Sequence, residues 1–167
     1  MNYKETTFLF RLKKFGIKRI FLSTDFLLAF VVAIILSTIS YHYNLTFMLL
    51  EKTSAVYPIV ATGMIALIIT SLAIITAIPD DNFIKFLKQA KIYENLLFMF
   101  WLISIVAGIS IVVDISVYLV YSTITNNMVG LVFLWLSTLL TSYALFAAIQ
   151  TIGDIIRYGL YRADFIK

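Results

Sequence analysis

In the run GISIVVDISVYLV at 108–120, a single carboxylate, Asp114, interrupts an apolar stretch, with Ser110 one helical turn before it. In a segment that crosses a bilayer a carboxylate is costly, so its position marks either a functional site or the membrane edge. Asp114 follows Leu96 by 18 residues, which at ~1.5 Å per residue is about 27 Å along a helix. Against a hydrocarbon core of about 30 Å, that spacing puts it near the outer boundary. Two readings are open. Asp114 is an interfacial or interhelical hydrogen-bonding group, or Asp114 and Ser110 belong to a ring at the outer mouth of an oligomeric pore.

Other chemistries lack parts. The chain has no cysteine and one histidine, His42, within the interfacial YHY at 41–43. A Ser-His nucleophile pair is not plausible within the spans, and no His/Asp/Glu cluster has metal-ligand spacing. The expectation is therefore a protein that is not an enzyme, with no cofactor and no metal. NLT at 44–46 matches a glycosylation acceptor, a match frequent by chance. Four-helix proton-coupled exporters carry an acid deep in the first span, whereas Asp25 sits at its start.

The elements that hold these residues are membrane helices. Of 167 residues, 62% are hydrophobic and 13% charged, with mean hydropathy +0.98, against about half and a quarter in soluble domains. The expected fold is an all-α membrane protein with spans at about 26–43, 57–78, 96–118 and 128–152. The first follows an STD capping sequence, and the second is opened by Pro58 and closed by Pro79. Around this 22–152 domain lie an amphipathic segment at 1–21, a linker helix at 81–94 and a helical extension at 153–167. Tyr57, Tyr118 and Tyr121 fit an outer aromatic belt. Twelve of the thirteen Lys and Arg residues, all but Lys52, fall on one side of these spans. The positive-inside rule makes that side cytoplasmic, predicting a multi-pass inner-membrane protein with both termini inside.

Each span carries small or hydroxyl residues at helical spacing: Asp25, Ala29, Ala33, Ser37 and Ser40; then Gly63, Ala66, Thr70, Ala73 and Ala77; then Ala107, Ser110 and Asp114. The fourth seam, Gly130, Ser137, Thr141, Ala144, Ala148 and Thr151, is the longest. Such seams let helix backbones approach closely in lipid. They serve packing within one bundle, or contact between copies in a homo-oligomer, with a tetramer favoured.

On the cytoplasmic side, Arg11, Lys14, Lys18, Lys85, Lys88, Arg157, Tyr158 and Arg162 combine cations with aromatic groups. Either they set topology and grip the anionic inner leaflet, or they converge on an anionic ligand such as a nucleotide, with no role for duplex nucleic acid. The short four-span layout, with the linker FIKFLKQAKIYENLL at 83–97, resembles small membrane effectors of bacterial nucleotide-signalled antiviral systems. The resemblance implies an oligomeric channel or pore-type effector, gated by a nucleotide second messenger, that disrupts the inner membrane. Two alternatives stand beside it: a non-catalytic accessory or immunity subunit, and a small transporter using Asp114.

Overall fold

The computed structural model describes residues 12–13, 16–76 and 92–165, and the described residues form helices joined by short turns. We number them α1 (Ile17–Phe21), α2 (Thr24–His42), α3 (Thr46–Thr76), α4 (Ile92–Val120) and α5 (Asn127–Phe165), with a 3₁₀ turn at Tyr121–Thr123. The last four are each long and apolar enough to cross a membrane, giving an all-α membrane fold. Residues 81–91 of the linker and the first residues of the amphipathic segment lie outside the described residues.

Local chemistry sets several ends. Ser23 caps α2, its Oγ accepting from the Phe26 amide at 3.2 Å. The helix stops at Tyr43 because Asn44 turns into the left-handed region at φ 54°, a conformation that asparagine tolerates better than most residues. Asn126 Oδ1 accepts from the Met128 amide at 2.9 Å, at the start of α5. The second span differs from expectation at its start. Pro58 does not open it but lies inside α3, which begins at Thr46. Proline removes one backbone donor, yet α3 continues across that loss to Thr76. Gly153 and Gly159 lie within an uninterrupted α5.

α5 is the hub. It packs against α2, α3 and α4, while α3 also packs on α4 and α2 barely touches α3. Half of α5's most apolar window is buried, against 17% of α3's, and this follows from its small residues. Ser137 and Ala144 are fully buried, and Gly130 admits the first turn of α3. A Cβ at Gly130 would meet Phe47 and Thr46 side-chain carbons at 3.3 Å. In lipid, contacts of this kind rather than water exclusion hold helices together.

The interior is layered. Towards the end bearing the 43–45 and 121–126 connections, Leu50, Val117 and Leu134 form a small apolar layer. A larger one, including Ala29, Ala33, Ala61, Ile103, Ala107 and Ala144, fills the rest. By position along α3, α4 and α5, a polar layer lies between them.

Candidate functional site

Four side chains build the polar layer's centre. Ser110 and Asp114 are four apart on α4, and Ser137 and Thr141 four apart on α5, so each pair shares one helix face. Ser110 Oγ donates to Asp114 Oδ2 at 3.0 Å, and Ser137 Oγ donates to Oδ1 across a short contact. The Ser110 and Thr141 hydroxyls are 2.7 Å apart. Because a hydroxyl has one proton and Ser110 spends its own on Asp114, Thr141 is the donor in that contact. Next to it, Tyr57 Oη of α3 meets Thr138 Oγ1 at 3.4 Å.

Asp114 and Ser110 are 0% exposed. Their seam faces α5 of the same chain, in the interhelical hydrogen-bonding arrangement. Along the same helical path Asp114 lies seven residues, about 10 Å, before Tyr121 at the connection end. Among the described residues no Lys or Arg pairs with Asp114.

The fourth seam is likewise internal: Gly130, Ser137, Thr141, Ala144, Ala148 and Thr151 are all buried within one chain. It is therefore not a free surface for a second copy. The second seam points the other way, with Gly63, Ala66 and Thr70 exposed.

A second buried acid lies at the opposite end of α5. Asp25, 7% exposed, sits in the first turn of α2. With its amide nitrogen turned to the carboxylate, the arrangement that satisfies both groups, Gln150 donates to its two oxygens at 2.8 and 2.5 Å. A cleft of about 290 Å³ opens beside it, lined by Asn95, Leu96, Met99, Gln150, Asp154 and Tyr158 among others.

Of the expected anionic-ligand set, Tyr158 lines this cleft, whereas Arg157 points outward and pairs with Asp154 at 3.3 Å. Lys18 is exposed. Arg162 lies on α5 with its side chain undescribed, and Arg11, Lys14, Lys85 and Lys88 lie outside the described residues. Among the described residues, the charged group lining the cleft is Asp154, an anion.

Sequence reasoning missed Tyr57 and Thr138 as members of the polar layer and Gln150 as the partner of Asp25. Tyr57 reads as a belt residue if the span begins there. Placed eleven residues into α3, it becomes an interior phenol. Among the described residues no group of three or more His, Asp or Glu side chains is placed to hold a metal ion. Comparison of the chain with protein-family models, curated proteins and solved structures returned no match.

Proposed function

We propose that the protein is a small cation-coupled membrane transporter whose working centre is the Asp114 cage. One observation carries this: a wholly enclosed carboxylate held by hydroxyls, without a cationic partner among the described residues. An isolated carboxylate in a low-dielectric interior is expensive, and a bound proton or small cation offsets that cost. Binding and release at such a group supply a transport cycle with its coupling step. Reconstituted in vesicles under imposed H⁺, Na⁺ or K⁺ gradients, the wild type carries a flux that Asp114→Asn abolishes. An equal flux through a folded Asp114→Asn protein would remove Asp114 from the mechanism.

The second reading is the oligomeric channel or pore-type effector, opened by an anionic cytoplasmic ligand and disrupting the inner membrane. It is favoured by the outward small-residue face of α3 at Gly63, Ala66 and Thr70, which suits contact between copies. A conduction path then runs between chains, along that face. Single-chain particles in detergent and in nanodiscs would count against it. Both readings place the termini in the cytoplasm on the strength of the basic asymmetry, and reporter fusions at either end test that placement.

A further inference from the structure

We propose that the occupant of the Asp114 cage is a proton, and that the hydrogen-bonded chain from Thr141 through Ser110 to Asp114 reverses direction when the proton binds while Ser137 keeps donating to the carboxyl group. The inference rests on the transporter reading and names the cation that reading leaves open.

A proton fits the cage as it stands. The oxygens are in mutual hydrogen-bond contact, 3.0 Å between Ser110 and Asp114 and 2.7 Å between Ser110 and Thr141, and a proton needs no added volume among them.

Proton counting shows that the chain can run both ways. With Asp114 ionised, Thr141 donates to Ser110, Ser110 donates to Oδ2, and Ser137 donates to Oδ1. With Asp114 protonated at Oδ2, its O–H donates to Ser110. The Ser110 proton then turns to Thr141, and Thr141 turns to the backbone carbonyl four residues earlier, an acceptor that helical threonines commonly use. Thr151 already bonds its own i−4 carbonyl in this way, at 2.7 Å to Ala147. Asp114, Ser110 and Ser137 change by hydroxyl rotation alone, Thr141 reaches its carbonyl acceptor by an adjustment of χ1, and no hydroxyl of the cage is orphaned in either state. Proton uptake therefore avoids the penalty of leaving a buried polar group unpaired.

Charged and titratable neighbours do not supply a competing partner. Among the described residues, Tyr57 of α3 is the titratable group that faces Asp114 from a neighbouring helix. α5 presents Ser137, Thr138 and Thr141. α4 places its next titratable group, Tyr118, one turn on and exposed. The shortest approach for the proton is from the connection end. There the single layer of Leu50, Val117 and Leu134 covers the cage, whereas Ala107, Ile103, Phe100 and Leu96 stack along α4 on the other side.

The test is infrared difference spectroscopy of the full chain in lipid vesicles, titrating pH and, separately, adding Li⁺, Na⁺ or K⁺ at fixed pH. The expected result is a protonated-carboxyl C=O band that titrates, is lost in Asp114→Asn, and shifts in frequency in both Ser110→Ala and Ser137→Ala. The metal cations leave it unchanged. A band displaced by Na⁺ or another metal cation in proportion to its concentration overturns the proton assignment while leaving the transporter reading intact. Persistence of the titrating band in Asp114→Asn also overturns it, by assigning the band to another acid such as Asp25. No titrating band together with no response to any cation overturns both. If Asp114→Asn does not fold, the wild-type cation series and the two serine variants still decide.

Discussion

Asp114 and Asp25 are both buried acids packed against α5, yet they are held in different ways. Asp25 lies in the first turn of α2, where unpaired backbone N–H groups and the helix dipole favour negative charge. A side-chain amide covers both its oxygens. Asp114 lies well inside α4, with no helix end to help it and rotatable hydroxyls as its partners. A helix terminus has fixed polarity, so it suits one charge state. Hydroxyls can be donor or acceptor, so they accommodate two. Asp25 thus has the features of a structural clamp between α2 and α5, and Asp114 those of a site that changes state.

The largest effect is expected between the two acids, at Ala144 of α5, which is 0% exposed and lies within the apolar core. Ala144→Phe should cost about 3 kcal/mol or more by overpacking, lowering the unfolding midpoint of single chains in detergent. A variant that melts like wild type but assembles differently would return this seam to an intermolecular role. Next, Asp114→Ala orphans the Ser110, Ser137 and Thr141 arrangement and leaves a void, for a loss of about 2–4 kcal/mol, with flux abolished. Gln150→Leu should cost about 2 kcal/mol by stripping a buried carboxylate of its amide partner, without loss of flux per folded molecule. Lost flux in Gln150→Leu would break the distinction between clamp and site. Smallest is Ser137→Ala, about 1 kcal/mol for one hydrogen bond. It sharpens the comparison if transport slows far more than stability falls.

Part of the site is legible in the order of residues alone. Ser110 and Asp114 fall on one face by spacing, and so do Ser137 and Thr141. That those two faces meet depends on the pairing of α4 with α5, which spacing within either helix does not contain. Gln150 illustrates the same limit. It is an exposed residue near the end of a span, and only the antiparallel register of α2 against α5 sets it over Asp25.

The sequence by itself determined the four apolar helices and, for α2, the whole buried face. Asp25, Ala29, Ala33, Ser37 and Ser40 are the residues that the helical period aligns and the ones the structure buries. This works because α2 meets one principal neighbour, so its least bulky stripe has one place to go. Only the tertiary structure decided which way α3 turns. Its small stripe at Gly63, Ala66 and Thr70 faces outward, while the bulkier Met64 and Ile68 fill the core. Lipid tails are as apolar as the bundle interior, so hydropathy does not distinguish those two faces. The same physics enclosed Asp114. Residue count along α4 sets its position on the helix, but its rotation towards the hydroxyls of α5 comes from how the helices pack.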